Sequence, residues 1–139
     1  MKFYLPALLL GGFALATPAS ADVIISLDHG AVWETGQSLK ATEGFIEIHN
    51  KGASPDVMTG WDCPLAKSTT LLNAQGEAVT SLAIPAGQTV TLSPASLHLS
   101  LQTLSYPVAY GSVIPCSFTF QTAGSVGGYL NAEPAPASP

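Results

Sequence analysis

Hydrophobic and polar residues alternate along most of this 139-residue chain, in short runs that Gly, Pro, Asn and Ser separate. A period of two residues predicts β-strands, because successive side chains of a strand point to opposite faces. No stretch has the sustained period of an amphipathic helix. The pattern predicts an all-β chain with strands at residues 23–27, 43–50, 57–61, 68–72, 79–84, 89–92, 97–101, 113–121 and 126–130.

The alternation also predicts which side chains face the core. The segment 43–50 places its isoleucines on one face, and the segment 97–101 places three leucines on one face with His98 and Ser100 on the other. Cys116 shares its face with an isoleucine and two phenylalanines, so we expect it in the core. Short strands at this spacing with a buried cysteine predict a single-domain, two-sheet β-sandwich of seven or more strands.

The N-terminus has the pattern of a cleavable signal peptide at residues 1–21. Lys2 gives the positive start, an apolar stretch follows, and Ala-Ser-Ala at 19–21 is a cleavage site. The apolar stretch is too short to span a bilayer and neither cysteine lies near the cleavage site, so we expect no membrane anchor and no lipid. These features predict export, with the bacterial periplasm as the destination.

The C-terminus differs in composition from the rest. We expect the domain to occupy residues 22–131 and the Pro/Ala/Ser-rich residues 132–139 to form a disordered tail, because such a segment buries little apolar surface.

The charge of the chain excludes one class of partner. After removal of the signal, three lysines, no arginine and nine carboxylates remain, a net charge of −6 with neutral histidines. Nucleic-acid binding needs a basic surface, so we expect no nucleic-acid partner. The acidity favours cations and basic surfaces, although it also serves solubility alone.

The two cysteines, Cys63 and Cys116, are expected to form a structural disulfide in an oxidising compartment. The alternative is a reactive or metal-binding thiol pair. It is disfavoured because the two residues lack the close C-x-x-C spacing of such sites.

Five pieces of the chain, in order, resemble the PCu(A)C family of periplasmic copper chaperones. They are G-F-I-E-I-H-N at 44–50, C-P-L-A at 63–66, I-P-A-G at 84–87, L-H-L at 97–99 and V-I-P-C-S-F-T-F at 113–120. The resemblance implies a cupredoxin-like sandwich that binds copper and delivers it to a copper-receiving periplasmic or oxidase-assembly protein.

The same resemblance implies a copper site that has lost most of its ligands. The family uses a histidine and methionines in mid-chain and a later His-x-Met, a soft donor set suited to Cu(I). Counting from Pro64, the first histidine falls at Leu72, or at Leu71 if the register slips by one. The mid-chain methionine falls near Ala78 or Thr80.

In the later motif His98 is retained, and Ser100 stands in the place of methionine. His98 is therefore the metal-ligand candidate, and an ordinary hydrogen-bonded surface histidine is the equally weighted alternative. We interpret His29 and His49 as surface histidines. The remaining residues of interest are interpreted as packing residues: Met58, Trp33 and Trp61.

Two functional hypotheses follow, and neither is enzymatic. Asp28-His29 and the Glu47/His49 pair are the nearest approach to a catalytic group, but neither has a third member. The first hypothesis is a copper-binding or copper-delivery protein that tolerates Cu(II), because nitrogen and oxygen donors dominate what remains. The second is a metal-free relative that serves as a binding or assembly module.

Overall fold

The computed structural model describes residues 23–136 of the chain. The expected signal peptide, with its cleavage site, and the last three residues of the expected tail lie outside this range. Within it the protein consists of nine strands and no helix. The strands are β1 (Ile25–Trp33), β2 (Ala41–Asn50), β3 (Asp56–Asp62), β4 (Ala66–Leu72), β5 (Leu82–Ile84), β6 (Thr89–Thr91), β7 (His98–Leu104), β8 (Val113–Phe120) and β9 (Gly124–Glu133). The all-β prediction is confirmed, and each predicted segment overlaps one strand.

The strands form one hydrogen-bonded sheet that curls into two facing halves. Their order is β4-β7-β2-β1-β9-β8-β3-β5, and β6 pairs with β2. All pairings are antiparallel except that of β1 with β9, which joins the two halves. A Cβ on Gly128 of β9 would lie 3.1 Å from Ile46 Cδ1 of β2, so the halves are in contact. The predicted sandwich is therefore present, with its two sheets continuous along β1 and β9.

The core lies between the two halves, and the predicted inward faces supply it. Ile46 and Ile48 of β2 and Leu99 and Leu101 of β7 are at most 1% exposed, and Phe118 of β8 is fully buried. Burying a side chain of this size stabilises the fold by about 1.5–3 kcal/mol. The period-two pattern thus identified the core residues because each face of a strand meets one environment.

A disulfide connects Cys63, just after β3, to Cys116 in β8 across 53 positions of sequence. Cys63 is fully buried and Cys116 is 5% exposed. The pairing is the one expected from the sequence, and no free cysteine remains among residues 23–136.

The C-terminal boundary differs from the expectation that a disordered tail begins at residue 132. Strand β9 continues to Glu133, and Ala132 is 5% exposed. Ala132 and Glu133 pair with Val32 and Trp33 of β1. Composition alone could not reveal this pairing. Its partner residues on β1 also lie beyond the predicted end of that strand at residue 27.

Strand β1 continues to Trp33, beyond the predicted end at residue 27, and contains a β-bulge. Asp28 pairs with Glu47 and Ala31 with Phe45, so two residues of β1 face one residue of β2. A bulge inserts one extra residue and redirects its side chain. The two residues of β1 at the bulge are His29, which has a φ of 51°, and Gly30.

Candidate metal site

His98 is the first residue of β7, and Leu72 of β4 lies directly opposite it. Its imidazole is half-buried. The Nδ1–H donates a hydrogen bond of 2.9 Å to the carbonyl oxygen of Ser96, because that oxygen can only accept. The lone pair of the imidazole is therefore on Nε2, which is left for another partner.

The positions expected for the other ligands lie around His98. Of the two candidates for the first histidine, Leu71 is fully buried opposite Leu99, whereas Leu72 shares the face of His98. Ala78 forms an isolated bridge with Leu72. Ser100 lies two residues after His98 on the same face of β7. We call this group, Leu72, Ala78, His98 and Ser100, the His98 site.

The side chains of the His98 site fit copper poorly. Leu72 and Ala78 offer no donor atom. Ser100 is buried, and its hydroxyl already accepts a hydrogen bond from Gln102 Nε2. Met58 is fully buried in the core, as expected, and cannot reach a surface site without unpacking. Tight metal sites use three or four ligands. The His98 site supplies one imidazole and one hydroxyl.

A second group of polar side chains lies on β1 and β2. His29 Nδ1 is 3.2 Å from Glu47 Oε1, and His49 Nε2 is 3.5 Å from the same oxygen. Asp28 completes the group, 3.4 Å from His29 Nδ1. We call Asp28, His29, Glu47 and His49 the histidine–carboxylate cluster. In the part of the chain that is described, no group of three or more His, Cys, Asp or Glu side chains could hold a metal ion.

The sequence interpretation treated His29 and His49 separately and missed this cluster. It ended the first strand at residue 27, which left Asp28 and His29 in a loop. The available signal was Gly30, since an isolated glycine within a strand pattern indicates a bulge.

Comparison with protein families places most of the chain in one family. The model of the family described as "Putative lipoprotein LpqE-like" matches residues 25–128, which include eight of the nine strands in full and part of β9. The chain belongs to the LpqE-like family. No curated protein matches it.

Solved structures similar to this LpqE-like protein are PCuAC domains. The copper-bound PCuAC domain of PmoF2 matches with a TM-score of 0.71 and 19% identity, over 80% of this chain and 93% of that domain. The apo PCuAC domain of PmoF1 gives 0.73 and 19%, over 82% and 98%. The Cu(I) form of DR1885 from Deinococcus radiodurans gives 0.65 and 22%, over 83% and 81%. The cupredoxin-like PCuAC fold expected from the resemblance is confirmed.

Two further observations concern the class of this LpqE-like protein. The matched structures named above are PCuAC domains and not enzymes, in agreement with the sequence interpretation. Within residues 23–136, no helix is long and apolar enough to cross a membrane.

Proposed function

We propose that this protein is exported to the bacterial periplasm, where it binds copper at His98 with fewer ligands than the PCu(A)C chaperones use. The family description as a lipoprotein and the signal-like N-terminus support export. The similarity of the fold to a copper-bound PCuAC domain supports copper as the metal.

One observation carries the proposal: the Nδ1–H of His98 is held by a backbone carbonyl, and Nε2 keeps its lone pair. Metal-binding histidines commonly donate their other N–H to a carbonyl or carboxylate, which fixes the ring and the tautomer. His98 is thus prepared to bind a metal ion through Nε2.

A site with so few ligands is better suited to transferring copper than to storing it. One imidazole with a nearby hydroxyl binds Cu(II) as readily as Cu(I), and it releases either ion to a partner that has more donors. We propose a copper-receiving periplasmic or oxidase-assembly protein as that partner.

The second candidate is a metal-free binding or assembly module of the same fold. Leu72 and Ala78 favour this candidate, because both lie near His98 and neither has a side-chain atom that can bind a metal. A protein that kept the fold for an interaction alone would have no need of ligands there.

Copper titration separates the two candidates. Purified protein without a polyhistidine tag is titrated with Cu(I) under anaerobic conditions and with Cu(II), each against a competing chelator. We expect His98→Ala to weaken copper binding at least about tenfold. His29→Ala, which removes an imidazole from a different surface, is the matched control. If His98→Ala binds both ions as the unmodified protein does, the metal-free candidate replaces the copper proposal.

A further inference from the structure

The face of the sheet that points away from the core continues from His98 to strand β2. Ser100 of β7 pairs with Glu43 of β2, so the Glu43 side chain lies on the same face as His98. A Cβ on Gly44 would lie 3.5 Å from Leu101 Cδ1 in the core, so Glu43, the preceding residue, faces outward. Two residues of strand and one step between strands, together about 8 Å, separate Glu43 from His98.

A pocket of about 390 Å³ opens on this face beside Glu43. It is lined by Trp33, Glu34 and Glu43, with Ala135 and Pro136 of the C-terminal segment among the remaining lining residues. We call it the Trp33 pocket, and we propose that it receives an arginine side chain of a partner protein. This inference rests on the proposed function only in naming that partner as the copper-receiving protein.

The aromatic wall of the pocket is held by its neighbours. The Trp33 ring packs edge to face with the Phe45 ring, with centroids 5.1 Å apart and an angle of 64° between the planes. The Trp33 carbonyl accepts a hydrogen bond of 2.7 Å from Thr42 Oγ1. The face of an aromatic ring attracts cations, and tryptophan does so more strongly than tyrosine or phenylalanine. The half-buried Trp33 therefore offers a fixed surface on which a cation can stack.

Two half-buried carboxylates give the pocket its negative charge. Glu34 directly follows β1, where its backbone N–H donates a hydrogen bond of 2.8 Å to the carbonyl oxygen of Glu133, and Glu43 lies on β2. The salt bridges among residues 23–136 all involve histidine, so no lysine neutralises either carboxylate. Lys40 is exposed and does not line the pocket. A cation from another molecule would neutralise this charge.

Arginine is the side chain that suits an indole and two carboxylates together. Its planar guanidinium stacks on an aromatic face while its N–H groups donate to carboxylate oxygens, whereas the lysine ammonium is a compact and strongly hydrated charge. This chain contains no arginine, so a second copy of it cannot supply one. The formal net charge of −5 also favours a partner with a basic surface.

The position of the Trp33 pocket connects it to His98. A standard protein interface buries about 800 Å² on each partner, which is a patch roughly 30 Å across. A partner whose arginine occupies the pocket would therefore also cover His98, because Glu43 and His98 lie on the same face of the sheet. Donor atoms of that partner could then reach a copper ion at His98.

The test uses the tag-free, metal-free, isotopically labelled protein and the probe N-acetyl-arginine amide. Nuclear magnetic resonance follows the indole N–H signals of Trp33 and Trp61, the two tryptophans of the chain, and Trp61→Phe assigns them. We expect the probe to shift the Trp33 signal in a saturable way and to leave Trp61, on β3 in the other half of the sandwich, unchanged. N-acetyl-citrulline amide has a similar shape and no charge, and it should bind at least about fivefold more weakly.

Glutamine variants test the two carboxylates without changing the size of the side chain. Glu34→Gln and Glu43→Gln should each weaken binding of the arginine probe at least about threefold, because each removes a charged acceptor. Glu47→Gln is the matched control. It makes the same substitution on β2 at four positions from Glu43, about 13 Å along the strand, and should leave the affinity unchanged.

Several results would overturn the inference. They are equal binding of the arginine and citrulline probes, equal shifts of both indole signals, or unchanged affinity in Glu34→Gln and Glu43→Gln. A Trp33 signal that moves with protein concentration alone would assign the pocket to a second copy. Binding at least about tenfold tighter in a chain truncated after Pro136 would assign it to the chain's own C-terminus. If the arginine probe binds as expected while His98→Ala leaves copper binding unchanged, the proposed function fails and the arginine site stands.

Discussion

Leu72 of β4 lies directly opposite His98 of β7 in an antiparallel pair. The resemblance to PCu(A)C chaperones implies that the first histidine ligand falls at Leu72, or at Leu71 if the register slips by one, and of the two only Leu72 shares the face of His98. Ser100, at the expected methionine position, is on the same face of β7. The backbone therefore brings the expected ligand positions together. The side chains at these positions, however, are not the histidine and methionine that the resemblance implies.

Restoring donors at these positions should restore Cu(I) binding. We expect the double variant Leu72→His/Ser100→Met to bind Cu(I) at least about tenfold more tightly than the unmodified protein, because an imidazole and a thioether would join His98. Anaerobic titration against a Cu(I) chelator measures the change.

The matched control moves the methionine along the strand. Leu72→His/Gln102→Met has similar composition, but residue 102 is four positions from His98, about 13 Å. This control should bind Cu(I) more weakly than the Ser100→Met variant. Equal affinity of the two double variants would show that the His98 site does not have the expected geometry.

The sequence predicted the fold well because the signal for each strand is local. Alternation in segments such as 43–50 and 113–121 identified the inward faces of β2 and β8 correctly. It also placed His98 and Leu72 on strands, but the pairing of these two strands was not predicted and is seen only in the structure.

The features that were missed depend on non-local contacts. The bulge at His29 and Gly30 lies against the backbone of Tyr129, about a hundred residues away in sequence. The pairing of Ala132 with Val32 is equally distant. Gly30 is a local signal of the bulge, but no local pattern shows that Glu47 and His49 lie beside it, so the histidine–carboxylate cluster could not be assembled from the sequence.

Gly30 should be intolerant of substitution. Gly30→Ala would place a methyl group against the Tyr129 carbonyl, which is backbone and cannot move aside cheaply. We expect a loss of about 2 kcal/mol or more in the free energy of unfolding, measured by urea denaturation. Gly127→Ala is the control, since a Cβ there meets nothing within 4 Å. It should be neutral or slightly stabilising, and a Gly30→Ala variant as stable as Gly127→Ala would contradict the close approach.

Asp56 should be a stability determinant, since its buried carboxylate connects β3 to the turn between β8 and β9. Oδ1 accepts hydrogen bonds from the backbone N–H groups of Val57 and Thr122, and Oδ2 accepts one from Ala123, at 2.8–2.9 Å. Asp56→Ala would leave these donors unsatisfied, and we expect a loss of about 3 kcal/mol in the free energy of unfolding. Asp62→Ala, at the exposed end of the same strand, should change it by less than about 0.5 kcal/mol. Equal urea midpoints for the two variants would contradict this role.

The disulfide should be formed in the exported protein and should contribute much of its stability. Because it closes a loop of 53 positions, the chain-entropy model gives about 4 kcal/mol for the bridge between Cys63 and Cys116. We expect the intact mass to be two hydrogen atoms below the free-thiol mass, and the Cys63→Ser/Cys116→Ser variant to lose most of this free energy in urea unfolding. Reduction of the unmodified protein should produce a similar loss, which controls for the packing of the new hydroxyls. Free thiols in the native protein would contradict the bridge. They would also make two soft sulfur donors available to bind copper.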